Sequence, residues 1–295
     1  MGGKTQSDPR GDFIVNWIAL KQWIREVLNE DIGAGDLTTE ALVPEDHQSS
    51  CLFIAKQDGV IAGLPVAEAV YRELDPEMKW EWLVREGDRV KKGTAIARIT
   101  GPTRAILTGE RVALNLLQRM SGIATMTRQL VDRLEGLSCQ MLDTRKTTPG
   151  LRQLEKYAVR VGGGTNHRFG LSHGVMIKDN HIAMAGSLAA AIERARKHVG
   201  HMVKIEVEAD TLEQVEEILK HDVDAILLDN MDLDTLREAV RLIDGRVWTE
   251  ASGGITPETI RPIAETGVDA VSLGWLTHSV SALDISLDFG EEASR

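Results

Sequence analysis

Apolar positions along the chain change their period twice, and each change marks a different kind of element. Trp17, Leu20, Ile24 and Val27/Leu28 recur at helical spacing, which predicts an amphipathic helix of about 15 residues from Val15, ended by Gly33 and Gly35. Between Cys51 and Thr100 the period shortens. Met78, Trp80, Trp82 and Val84 alternate with Lys79, Glu81 and Leu83, as a half-buried strand requires, so this region reads as a small α/β unit. Residues Thr103 to Leu134 return to helical spacing, with an interruption expected at Ser121-Gly122.

Beyond Leu134 the pattern becomes regular. Apolar runs at Cys139 to Leu142, Gly174 to Ile177, Met202 to Val207, Ala225 to Leu228, Val247 to Ala251 and Ala270 to Leu273 alternate with helical segments. Those helices are predicted to start near Pro149, Ser187, Thr211, Leu233, Pro257 and Ser279. Near-continuous apolar strands separated by amphipathic helices indicate parallel βαβ units covered on the outside. A doubly wound sheet and an incomplete barrel both fit this alternation. Lys146, Lys178, Glu208, Asp229, Ser252 and Gly274 each follow the carboxyl end of a successive strand. A barrel brings all of them to one rim, whereas an open sheet spreads the outer ones too far apart to share a ligand. The expected fold class is therefore α/β, with an incomplete (β/α) barrel of about six parallel strands.

Composition narrows the partners. With 42% hydrophobic content, 295 residues suffice for a sizeable core, and with 45 Asp+Glu against 34 Lys+Arg a discrete anionic metabolite fits better than DNA or RNA, whose binding normally calls for a basic face. The two cysteines, Cys51 and Cys139, lack the paired spacing of a zinc or redox motif. Met1 to Pro9 lacks the pattern of a signal peptide, and no apolar run reaches the roughly 18 to 20 residues of a membrane span, so a soluble cytoplasmic protein is expected. Glu86-Gly87-Asp88-Arg89-Val90-Lys91-Lys92-Gly93 resembles a turn of biotinyl or lipoyl carrier domains. No carrier lysine sequence accompanies it, so the turn is read as a glycine-bounded hairpin.

Against the formal charge of -11, cations gather in one stretch. Arg145, Lys146, His167, Arg168 and Lys178 lie at the ends of apolar runs, and together they would form a positive pocket suited to a small polyanion. Thr147-Thr148-Pro149-Gly150 reads as a helix start with Thr148 as N-cap. Gly162-Gly163-Gly164 leads into Asn166-His167-Arg168 and suits a loop that approaches a ligand closely. Glu206 and Glu208 share a face of their strand, with Glu208 nearer the mouth. Glu208 and Asp229 either hold a Mg²⁺ that bridges phosphates or accept hydrogen bonds from sugar hydroxyls; the competing reading is a salt bridge from Glu208 to Lys178 or Lys204. Ser252-Gly253-Gly254 and Leu273-Gly274-Trp275 follow the last two strands, the usual seats for a phosphate in barrels.

In order, Glu30 to Asp36, Gly109 to Asn115, Leu117 to Thr125, the Asp143 and Asn166 motifs, Leu227 to Asn230, Ala251 to Ile255 and Leu283 to Phe289 resemble the quinolinate phosphoribosyltransferases, the decarboxylating nicotinate-nucleotide pyrophosphorylases of NAD biosynthesis. The resemblance implies an N-terminal α/β sandwich over 1–115, joined by a C-terminal tail over 277–295, and a barrel over 116–276. It implies transfer of a phosphoribosyl group to quinolinate with release of pyrophosphate and CO₂, with Mg²⁺ bound alongside phosphoribosyl pyrophosphate. It also implies a homodimer, sometimes assembled into hexamers, in which Arg111 reaches the partner's site. The substrate-binding set it implies is Arg111, Thr144, Arg145, Lys146, His167, Arg168, Lys178, Glu208, Asp229, Ser252, Gly253, Gly254, Leu273, Gly274 and Trp275, with Lys146, Lys178, Glu208 and Asp229 closest to the chemistry. Two departures stand out: Trp275 where a small residue is expected, and Ser172-His173-Gly174 in place of a Tyr-Asp pair. The rival readings are a ModD-like relative or another pyridine-acid phosphoribosyltransferase and, more remotely, a Schiff-base aldolase using Lys146 or Lys178.

Overall fold

The computed structural model describes residues 16–289; Met1 to Pro9, Val15 and the end of the expected tail, 290–295, lie outside the described residues. In chain order the elements are α1 Trp17–Ile32, α2 Leu37–Leu42, β1 Gln48–Ala55, β2 Gly59–Val60, α3 Leu64–Leu74, β3 Lys79–Trp82, β4 Arg89–Val90, β5 Ala95–Pro102, α4 Thr103–Arg133 and β6 Gln140–Leu142. They continue with α5 Arg152–Val161, β7 Val175–Ile177, α6 Asp179–Ala185, α7 Leu188–His198, β8 Ile205–Ala209, α8 Leu212–Ile218, β9 Ala225–Asp229, α9 Leu233–Ile243, β10 Trp248–Ser252, α10 Ile260–Ala264, β11 Ala270–Ser272, α11 Trp275–His278 and β12 Ile285–Phe289. The chain forms two compact units. One holds the described residues up to Arg128, Gln153–Gly163 and those from Ser279 on; the other holds Gln129–Arg152 and Gly164–His278.

The first unit is built on an antiparallel sheet in the order β12-β1-β5-β3. The strand predicted around Trp80 and Trp82 is β3, half-buried on alternate residues, and its Trp80 ring lies 5.3 Å from Phe53 and 6.0 Å from Tyr71. Helix α1 carries Leu20, Ile24 and Leu28 on its buried face, and Asn16 caps it by accepting from the Ala19 amide. The sequence from Glu86 to Gly93 is not a hairpin: β4 pairs antiparallel with β2, upstream of α3. Helix α4 runs unbroken for 31 residues through Ser121-Gly122. Those two residues mark contacts rather than a break. A side chain at Gly122 would meet Ser281 O at 2.2 Å, and Ser121 Oγ exchanges hydrogen bonds with the Ala62 backbone at 3.1 Å. No helix starts at Ser279. Residues 279–284 are irregular; the Leu283 amide donates to Gln118 O at 2.9 Å, and β12 then pairs antiparallel with β1.

The second unit is a parallel sheet in the order β6-β11-β10-β9-β8-β7. Read from β7 to β11 the strands neighbour one another in sequence, and β6 closes the far edge beside β11. That is barrel order with a gap between β6 and β7, and it lacks the reversal that defines a doubly wound sheet. A parallel bridge from Leu142 to Thr165 lies at the gap edge. The helix expected at Pro149 begins three residues later, as α5. Thr148 closes a turn by accepting from the Leu151 amide instead of capping the helix. Ser187 and Thr211 cap α7 and α8 as their positions predict. Met202 is exposed and β8 begins only at Ile205; Pro257 lies in a turn ahead of α10. Among the described residues, no helix is long and apolar enough to cross a membrane.

Candidate active site

All six strands of the second unit run the same way, so the residues after their carboxyl ends share one rim. Thr144, Arg145 and Lys146 follow β6, Lys178 follows β7, and Glu208 lies near the end of β8. Asp229 and Ser252 end β9 and β10, and Leu273 to Trp275 follow β11.

One side of this rim is cationic. Burial lowers the pKa of Arg168, and the Arg145 charge beside it lowers it further, the electrostatic mark of two guanidiniums brought together in the fold. The loop that carries Arg168 is held from beneath. Asp143, fully buried, accepts from Asn166 Nδ2 at 2.6 Å and from the His167 amide at 2.8 Å. Arg168 Nη1 donates to Gly174 O at 2.8 Å. Arg152 spans the two loops, donating to Arg145 O at 3.3 Å, to Thr147 Oγ1 at 2.9 Å and to Phe169 O at 3.2 Å. Sequence reasoning assigned no role to Arg152. Its signal is a cation in the first turn of a helix, where the dipole disfavours one.

His167 does not face outward. Its Nδ1 accepts the Arg168 amide at 2.7 Å, and its Nε2 points at Glu206 Oε2 (3.1 Å) and Glu250 Oε2 (3.3 Å). Burial lowers the pKa of the imidazole, but the hydrogen bonds and charges of the two glutamates outweigh burial and raise it to about 10. An imidazolium could not accept the Arg168 amide, and that close contact keeps Nδ1 bare. The contact geometry is that of a neutral ring with its proton on Nε2, and burial raises the pKa of Glu206 beside it.

The other side of the rim is acidic. Burial raises the pKa of Asp210, and the neighbouring charges of Asp179, Asp229 and Glu208 raise it further. Lys178 forms an ion pair with Glu208, the competing reading of Glu208; Lys204 pairs instead with Asp224 at 2.8 Å. Glu208 and Asp229, at the ends of β8 and β9, offer the carboxylate oxygens that a hard divalent cation such as Mg²⁺ takes. Asp179 and Asp210 sit within two residues of Lys178 and Glu208, and that adjacency was their only signal. A groove of about 430 Å³, lined by Asp179, Ile182, Leu188, Glu208 and Gln214 among others, opens beside them.

The two glycine turns are tied to each other and to Lys146. A side chain at Gly274 would meet Lys146 Cδ at 2.4 Å, so glycine leaves room for the lysine stem to cross the turn. Thr277 Oγ1 donates to Lys146 O at 2.7 Å. The Trp275 indole donates to Ile255 O at 2.8 Å, linking the turn after β11 to the one after β10. Asn230 holds a left-handed backbone against Gly253, and its amide donates to Ser252 O at 3.0 Å. Arg111 belongs to the first unit, exposed on α4.

Family models for the quinolinate phosphoribosyl transferase N-terminal and C-terminal domains match residues 36–121 and 123–288. The probable nicotinate-nucleotide pyrophosphorylase [carboxylating] of Bacillus subtilis is 48% identical over 274 residues, covering 93% of this chain and 94% of that protein. A mitochondrial quinolinate phosphoribosyltransferase [decarboxylating] of Nicotiana tabacum is 45% identical, covering 92% of this chain and 83% of its own length. The crystal structure of NadC from Streptococcus pyogenes superposes with a TM-score of 0.91 at 42% identity, covering 94% of this chain and 98% of that one. Two domain models end to end and relatives matched over nearly their whole length leave one assignment: the chain belongs to the quinolinate phosphoribosyltransferase family.

Proposed function

We propose that this enzyme transfers the phosphoribosyl group of 5-phosphoribosyl 1-pyrophosphate to quinolinate and decarboxylates the product, giving nicotinate mononucleotide, pyrophosphate and CO₂ in de novo NAD biosynthesis. The observation that carries this reading is a single rim on which Arg145, Lys146, Lys178, Glu208, Asp229 and Ser252 all stand at or just beyond the carboxyl ends of parallel strands. Quinolinate is a dianion, and Arg145 and Arg168 offer planar two-pronged donors for its carboxylates. Lys146, crossing the Gly274 turn, serves the phosphates together with the backbone of Ser252 to Gly254 and of Leu273 to Trp275.

The ring nitrogen attacks C1 of the ribose as the bond to pyrophosphate breaks, and the carbon passes through an oxocarbenium-like state. Glu208 and Asp229 face that developing positive charge and orient the ribose hydroxyls. The ribosylated nitrogen is cationic, so when the bond to the adjacent carboxylate breaks, CO₂ departs and the electron pair left on C2 is stabilised beside that charge. A solvent proton completes the product. Positioning by Arg145 and Arg168 does most of this work. Glu208 and Asp229 would hold Mg²⁺, which neutralises pyrophosphate charge when bound. The enzyme acts in the cytoplasm as a homodimer, with Arg111 of a second copy entering the site.

An assay with phosphoribosyl pyrophosphate and Mg²⁺, comparing quinolinate with nicotinate, tests the reading. Nicotinate mononucleotide and CO₂ in equal amounts from quinolinate alone is the expected result; product from nicotinate alone, or from neither acid, overturns it. Engagement of the Lys178 ammonium by Glu208 disfavours the Schiff-base alternative, which borohydride trapping with a carbonyl substrate would reveal.

A further inference from the structure

Two buried carboxylates face one imidazole inside the barrel. Register places Glu208 of β8, Leu227 of β9 and Glu250 of β10 in one row, and Glu206 shares the face of Glu208, so both inner glutamates project from alternate strands to the same side of the sheet. Glu206 is 8% exposed and Glu250 is 2% exposed. Neither is built to reach a substrate at the rim. One acceptor would suffice to satisfy the Nε2 proton of His167, yet Glu250 stands there as well, with its Oε1 buried and without a hydrogen-bond partner. An unmet buried oxygen is destabilising, so its retention calls for a compensating function.

We propose that Glu206 and Glu250 are positioning residues that act through His167 on Arg168, setting the grip on the substrate carboxylate without touching it. A single acceptor leaves the imidazole free to swing about one hydrogen bond, whereas two acceptors flanking Nε2 define the ring plane. The ring so held presents Nδ1 to the Arg168 amide, while Asp143 takes the His167 amide from the other side. Two consecutive backbone N–H groups thus end on held acceptors, Asp143 just after β6 and the His167 ring that faces Glu206 and Glu250, and the guanidinium that leaves this backbone is steadied on Gly174 O. This inference rests on the proposed function for the role of Arg168 in binding quinolinate.

The test compares Glu250→Leu and Glu206→Leu, which remove the acceptor, with Glu250→Gln and Glu206→Gln, which keep one. Steady-state constants are read for each substrate in the folded proteins. The leucine variants are expected to raise KM for quinolinate by about tenfold, the scale of one lost charge-assisted hydrogen bond, with KM for phosphoribosyl pyrophosphate within about twofold of wild type. The glutamine variants should recover most of that loss. Equal shifts in both KM values, or none, overturn the proposal. Should the leucine variants fail to fold, the glutamine variants and a second readout decide it. Nitrogen-15 shifts of the labelled His167 ring in the full-length wild type, without substrate, are expected to show the neutral tautomer protonated on Nε2. An imidazolium or the opposite tautomer overturns the proposal, as does a stoichiometric transition metal that the wild type holds and Glu250→Gln loses, because a metal would occupy Nε2 in place of its proton. Inactive wild type with the Nε2 tautomer present would defeat the functional reading while leaving this geometry standing.

Discussion

Two inward-facing carboxylate sites, one a single glutamate and the other a pair, serve opposite ends in this molecule. In the first unit, Glu86 accepts from the Gly63 and Leu64 amides at the start of α3, at 3.0 and 2.8 Å, and from the Tyr157 hydroxyl at 2.8 Å. Every contact ties backbone or an inward side chain to a second element, and no rim residue takes part. In the second unit, Glu206 and Glu250 converge on a single imidazole whose far edge holds the backbone of a rim cation. The first site is a latch with its donors matched to its oxygens; the second leaves an oxygen unmet and points its order at the rim. Burial alone therefore does not separate a structural acid from a functional one. What separates them is where the hydrogen bonds lead.

Breaking the rim should affect activity and spare stability. Lys146→Ala is expected to lower kcat/KM by about a thousandfold while the melting temperature stays near wild type, measured by steady-state kinetics and calorimetry. The latch should show the reverse. Glu86→Leu strands two amides and a hydroxyl, and denaturant unfolding is expected to show a loss of about 4 kcal/mol with the kinetic constants of the folded enzyme unchanged.

A pH series sharpens the contrast. Burial raises the Glu86 pKa to about 7, above its ordinary value of 4.5, against the lowering effect of its hydrogen bonds. Below the unfolded value the group is neutral in both states. As pH rises from there to about 7, the unfolded chain releases a proton that the folded chain retains, so stability falls, by about 3 kcal/mol, and then levels off. Unfolding free energies at pH 4.5 and 7.5 should show this fall in wild type and a flatter response in Glu86→Gln. The smallest effect belongs to the tie between the two glycine turns: Trp275→Phe removes the indole donor and should raise KM for phosphoribosyl pyrophosphate by a few-fold, about 1 kcal/mol, leaving KM for quinolinate in place.

The rim was legible because strand ends are. Near-continuous apolar runs gave β6 to β11; reading one residue past three of them reached Lys178, Glu208 and Asp229, and four residues past the first reached Lys146. The inner glutamates were harder. Glu206 showed its parity with Glu208, but Glu250 sits between Thr249 and Ala251 with nothing local to tell a buried acid from an exposed one; only the imidazole arriving from the β6–β7 gap gives it a partner. Gly122 was misread for a related reason. A glycine that breaks a helix and one that admits a neighbouring backbone look alike until Ser281, distant in sequence, is brought against it. Thr148-Pro149 carried a sound capping signal, and α5 still starts later, where Arg152 braces the site loops.

The claim that these strand-end cations exist to hold a dianionic pyridine acid is tested most directly by calorimetric titration of quinolinate into the wild type and Arg168→Ala. Saturable binding of one quinolinate per chain, weakened at least about tenfold by Arg168→Ala, is the predicted result. Equal affinity in the two proteins would contradict it.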